Sequence, residues 1–218
     1  MSVFSFLIKP TRFLSTRKLS FFTLLQYLLF VFCYAYLFAD PISVILIPKH
    51  NYPTYENTDI LRIISALFIA PIIEEVTARG FLTTKAAYYW TVPTFLIFGC
   101  ATNLITKEFE SFTIFSLYFL IIMIPSFLPS KKKIIVKLFR KNYYLYFYST
   151  ALLFSLLHSG NFDSNLFFPL KFLVLVISYF PIAALMGFIR VKHGLKNSIL
   201  FHSLLNLGTL AINSVLYA

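Results

Sequence analysis

The chain has 218 residues, of which 59% are hydrophobic and only 12% charged, a balance that excludes an ordinary soluble globular domain and points to a polytopic membrane protein. Its formal net charge of +11 falls mostly in loops between apolar runs, the positive-inside pattern, so no nucleic-acid partner is expected despite the excess of cations. Cys33 and Cys100 both sit inside apolar runs and give no disulfide framework.

Residues 1 to 18 carry Lys9, Arg12, Arg17 and Lys18 without an acid. The apolar run from Leu19 to about Ala39 is longer than the core of a signal peptide and lacks a small-x-small cleavage site, so a retained first span is predicted. From Asp40 to Asp59 the acids Asp40, Glu56 and Asp59 face Lys49 alone, which marks an outer loop, and Pro41, Pro48 and Pro53 are expected to prevent a continuous helix there. The second span is predicted from Ile60 to about Phe81, followed by Lys85 and the interface-seeking Tyr88, Tyr89 and Trp90. A third span from about Thr91 to Ile105 and a fourth from Phe112 to Leu128 precede the block Lys131, Lys132, Lys133, Lys137, Arg140 and Lys141, which holds no acid and reads as a cytoplasmic loop.

The fifth span, about Tyr143 to His158, stops at Ser-Gly-Asn-Phe-Asp-Ser-Asn, whose glycine and short polar residues favour a turn. The sixth runs from about Leu166 to Ile189 with expected interruptions at Pro181 and Gly187. Arg190, Lys192, His193 and Lys196 form a second basic turn before the last span, Leu195 to Leu216. The expected fold class is therefore all-α, a polytopic transmembrane helix bundle of about seven spans with its N-terminus cytoplasmic, because that orientation places every basic segment on one side.

Ionised groups inside apolar sequence are expensive and mark functional candidates. Glu74, Glu75 and Arg79 lie in the second span, His158 ends the fifth, and His202 and Asn206 lie in the last. On a helix Glu75 and Arg79 are four residues apart and can pair, whereas Glu74 projects about 100° away and is left without a local cation. Phe154 precedes His158 by one turn and can pack beneath its ring, and His202 and Asn206 share a face. Either histidine cluster alone would read as interhelical hydrogen bonding.

Taken in order, Glu74-Glu75-x-x-x-Arg79-Gly80, Phe154-x-x-x-His158 and His202-x-x-x-Asn206 resemble the three-motif signature of the CAAX-protease and bacteriocin-processing (CPBP) family of intramembrane endopeptidases, over about Ile60 to Leu207. The run Gly187-Phe188-Ile189-Arg190, a basic turn and Asn197-Ser198 resembles the family's approach to its last motif. One departure stands out. Typical members have only a short connection between the first and second motifs, where this chain has two spans and a basic loop; Thr102, one turn after Phe98 in the third span, offers no imidazole in place of His158.

The resemblance divides the chain into residues 1–59, a basic segment with the first span and an outer loop, and residues 60–218, a transmembrane catalytic domain with an extra helical hairpin at about 91–128. It implies a catalytic set of Glu74, His158, His202 and Asn206, supported by Glu75, Arg79 and Phe154. Glu74 would activate water with His158, and His202 with Asn206 would stabilise the oxyanion. No cofactor is required by that scheme, although Glu74, His158 and His202 could alternatively ligate zinc. Expected partners are membrane lipid and a membrane-associated peptide or protein substrate, and the expected location is a bacterial inner membrane. A non-catalytic bacteriocin-immunity or binding protein of the same fold, and a small transporter, are the alternatives.

Overall fold

The computed structural model describes residues 3–10, 18–46, 60–79, 82, 141, 143–158 and 168–216. The predicted third and fourth spans and nearly all of the six-cation block lie outside these residues. All the regular elements among the described residues are helical: α1 (Val3–Ile8), α2 (Phe21–Leu46), α3 (60–79), α4 (Tyr143–Leu157), α5 (Phe168–His193) and α6 (Leu195–Leu216). Two of them, Phe21–Leu46 and the Pro169–His193 part of α5, are long and apolar enough to cross a membrane.

Helix α2 starts where Ser20 accepts a hydrogen bond from the backbone N–H of Thr23 at 3.2 Å, satisfying one of the orphan donors of the first turn. It then continues through Pro41 to Leu46, which corrects the expectation of an outer loop beginning at Asp40. The reason is a widened turn at Ala35–Ala39, where the Asp40 N–H reaches back five residues to the Ala35 carbonyl. Widening of this kind shifts the carbonyls one turn behind the proline ring, where a regular helix would clash. The same device recurs in α3. There the Ala70 N–H bonds to the Ser65 carbonyl immediately before Pro71.

Helix α5 is likewise unbroken, so Pro181 and Gly187 do not interrupt it as expected. Proline at 181 removes the donor that would have reached the carbonyl of Ile177, and the hydroxyl of Tyr34 on α2 supplies the missing hydrogen bond. Gly187 is needed for close packing: a Cβ there would lie 2.8 Å from Cε2 of Phe147 on α4. Gly194, with φ of 92°, ends the helix in the left-handed conformation that costs glycine nothing and turns the chain directly into α6.

Helices α4 and α5 run antiparallel, because Phe147 meets Gly187 while His158 meets Tyr179. Around Phe188 the core is aromatic. Phe6 of α1 is fully buried there, 5.1 Å from the ring of Phe147 and 5.0 Å from that of Phe188, and the Tyr148 hydroxyl donates to the Leu7 carbonyl. On α2, Phe21, Phe22, Leu25, Leu29 and Phe30 project outward, as an apolar face in contact with lipid would.

Candidate functional site

Helix α6 places Ser198, His202 and Asn206 one turn apart on a single stripe, and α3 lies antiparallel against it. Going along α6, the contacts on α3 step backwards from Glu75 to Glu74 to Ala66. The polar residues of two apolar helices therefore close on each other instead of facing lipid, where they would be costly.

Glu75 is completely buried and receives three groups. Arg79 donates to its Oε1 from one turn further along, the Ser198 hydroxyl donates to its Oε2, and Nδ1 of His202 lies 3.3 Å from Oε1, within ion-pairing reach but out of line for a hydrogen bond. Arg79 is as buried as its partner. Its guanidinium carbon sits 4.1 Å from the centroid of the Phe154 ring, and its second amino group reaches towards the Ala183 carbonyl at 3.5 Å. The pairing of Glu75 with Arg79 that helix spacing suggested is present, together with partners that spacing could not indicate.

Glu74 points differently. Its side chain is 22% exposed, and Oε2, the shielded oxygen, has no hydrogen-bond partner among the described residues. Among the described residues the nearest cation-forming group is His202, whose Nε2 lies 3.8 Å away. His202 is thus set between two carboxylates on consecutive residues, with one ring nitrogen towards each.

His158 completes the cluster from α4. Its Nδ1 lies 2.8 Å from the Phe154 carbonyl oxygen. A carbonyl only accepts, so Nδ1 carries a proton, and in the neutral ring Nε2 is left with the lone pair. The ring is clamped between Tyr179, stacked at 4.5 Å, and Phe154, tilted at 4.7 Å. Phe154 also meets the His202 ring edge-on at 6.0 Å. Phe154 is therefore the common neighbour of Arg79, His158 and His202, one residue from each of the three sequence motifs. The long separation in sequence between the first two motifs is thus closed in space.

Asn206 lies deeper along the stripe. One hydrogen of its Nδ2 is given to the Ala66 carbonyl at 2.8 Å, which leaves the second amide hydrogen and Oδ1 for other partners. Ser198 entered the sequence reading only as part of the approach to the last motif, and its bond to Glu75, which the i−4 spacing from His202 could have flagged, was not expected; nor was Tyr179, for which an aromatic in an apolar run gives no signal. The sequence reading also placed Arg190 in a solvent-facing basic turn. Arg190 is instead 5% exposed, and its Nε donates to the Arg79 carbonyl at 3.3 Å, anchoring the end of α3 to α5.

As a test of the zinc alternative, no group of three His, Cys, Asp or Glu side chains among the described residues is disposed to hold a metal ion. Glu74 and His202 approach each other, and His158, with Nδ1 on a backbone carbonyl and its ring held by two aromatics, keeps Nε2 free among the described residues in a fixed direction.

Comparison with curated proteins, and separately with solved structures, finds no match. A family model described as Type II CAAX prenyl endopeptidase Rce1-like matches residues 56–208, a stretch that contains α3, α4, α5 and the site-bearing half of α6.

Proposed function

Because the chain belongs to the Rce1-like type II CAAX prenyl endopeptidase family, a family of intramembrane proteases, we propose that it hydrolyses peptide bonds of a membrane-associated or hydrophobic polypeptide with water activated by Glu74 and His158. The observation that carries this reading is the Glu74 carboxylate oxygen, shielded and without a hydrogen-bond partner among the described residues, beside His202, whose ring meets the same Phe154 on which His158 packs.

In this scheme the water oxygen attacks the scissile carbonyl carbon while Glu74 takes its proton, and Nε2 of His158 accepts a hydrogen bond from the same water. The Nε2–H of His202 and the remaining Nδ2–H of Asn206 donate to the oxygen that becomes negative in the tetrahedral intermediate. The C–N bond then breaks as the proton held by Glu74 passes to the leaving amine, which restores the carboxylate. Glu75 does not touch substrate. Its hydrogen bonds with Arg79 and Ser198 fix the rotation of α3, and so the direction in which Glu74 points.

The substrate class is a lipidated CAAX-type protein or a bacteriocin-type peptide held at the membrane. In this reading the chain is a multi-pass protein of a bacterial inner membrane, and the distribution of cations supports an N-terminus in the cytoplasm. Purified protein in lipid vesicles is expected to cleave a fluorogenic farnesylated CAAX peptide. Glu74→Gln, which keeps the shape and removes the base, is expected to lower kcat by roughly a hundredfold or more while the protein still folds. Wild-type rates from Glu74→Gln would discard the mechanism. Protection against a bacteriocin that survives the same substitution would support the immunity reading in its place.

A further inference from the structure

In α3 the Ala66 carbonyl accepts its hydrogen bond from another helix. The Ala66 carbonyl should accept from the N–H of residue 70, four positions on. That N–H is turned to the Ser65 carbonyl by the widened turn at Ser65–Ile69. In the wider register its donor would be residue 71, which is proline and has no N–H. The carbonyl is thus denied both backbone donors, and within a membrane-spanning bundle such a group must find another. It accepts from Nδ2 of Asn206 on α6, at 2.8 Å.

We propose that Pro71 is a positioning residue that acts through Asn206: by withholding the backbone donors from Ala66, it makes that carbonyl the fixed acceptor that sets the place and rotation of the Asn206 amide. An asparagine with a committed Nδ2–H cannot flip without leaving a carbonyl unpaired, so its second Nδ2–H points in one direction only. The molecule uses the same relation elsewhere, where Pro181 frees the Ile177 carbonyl and Tyr34 of another helix fills it. At Ile177 the filling group is a hydroxyl with nothing further to donate. At Ala66 it is an amide with a second hydrogen, one turn from His202.

That the second hydrogen serves an oxyanion rests on the proposed protease reading, whereas the holding of Asn206 by Ala66 does not. The experiment is a double-mutant cycle on the purified full chain in detergent, using wild type, Asn206→Ala, Pro71→Ala and the double variant, with Pro71→Ser as a second chain that restores the N–H. Asn206→Ala is expected to lower the melting temperature when residue 71 is proline, and to do so by less than half as much when residue 71 can donate to Ala66. An equal drop in both backgrounds overturns the proposal. With a lipidated CAAX peptide as probe, Pro71→Ala is expected to lower kcat by roughly tenfold to a hundredfold with KM nearly unchanged, and the double variant to lose no more than Asn206→Ala alone. Multiplying losses in kcat also overturn it. An inactive wild type that still shows the melting coupling defeats the protease reading and leaves the positioning of Asn206 standing.

Discussion

The guanidinium carbon of Arg79 lies 4.1 Å from the centroid of the Phe154 ring, on whose other contacts His158 and His202 both depend. A desolvated cation–π contact of this kind is worth about 2 kcal/mol, and it ties the helix bearing the two glutamates to the helix bearing His158. Arg79→Lys keeps the charge beside Glu75 but loses the planar face on Phe154 and the reach to Ala183. It is expected to express and fold with peptidase activity lowered roughly tenfold, a loss of about 1.4 kcal/mol in transition-state stabilisation. Phe154→Leu should do the same without touching an ionisable group, as steady-state kinetics of both variants would establish.

The buried ion pair makes a separate prediction about stability. Glu75→Ala strands the Arg79 cation in the core, and breaking a buried pair in this way costs about 3–5 kcal/mol. Ser198→Ala removes one hydrogen bond to a carboxylate and is expected to cost about 1.5–3 kcal/mol. Thermal unfolding in detergent should rank Glu75→Ala well below Ser198→Ala, with Glu75→Gln between them.

Two glycines with similar clashes should behave differently. A Cβ on Gly208 would come within 2.2 Å of the Phe32 ring, closer than the 2.8 Å between a Cβ on Gly187 and Phe147. Phe147, however, is 1% exposed and wedged between Phe6 and Tyr148, whereas Phe32 is only half-buried and can turn away. Gly187→Ala is expected to destabilise by about 1–3 kcal/mol through overpacking, and Gly208→Ala by less. Melting temperatures reversed in order would show that Phe32 is the more tightly held ring.

Chelation separates the two forms of chemistry open to a glutamate with two histidines. With no three-ligand cluster among the described residues, hydrolysis of a lipidated CAAX peptide is expected to survive strong chelators and to gain nothing from added zinc. Activity lost on chelation and recovered with zinc would assign the Glu74 and histidine set to a metal.

The membrane class, the helical fold and the ends of the last helix were legible in the sequence because each follows from local quantities: the length of apolar runs, the placement of cations, and the glycine at 194. So were the pairing of Glu75 with Arg79 and the packing of Phe154 on His158, since residues four apart on a helix are obliged to meet. Helix continuity through Pro41 and Pro181 was not legible. Whether a proline ends a helix depends on what becomes of the carbonyl it deprives, and for Pro181 the answer is the Tyr34 hydroxyl, 143 residues from Ile177 in the chain.

Sequence spacing alone thus determined which residues share a face of one helix, because the helical repeat fixes that regardless of surroundings. Only the tertiary structure decided that Glu75 is enclosed by Arg79, Ser198 and His202 while one oxygen of Glu74 is left without a hydrogen bond among the described residues, and that Asn206 is held by Ala66. Those outcomes are set by the rotation and depth of α6 against α3. Two helices of given sequence can pack at several rotations, and the one realised is that in which the buried polar groups find one another.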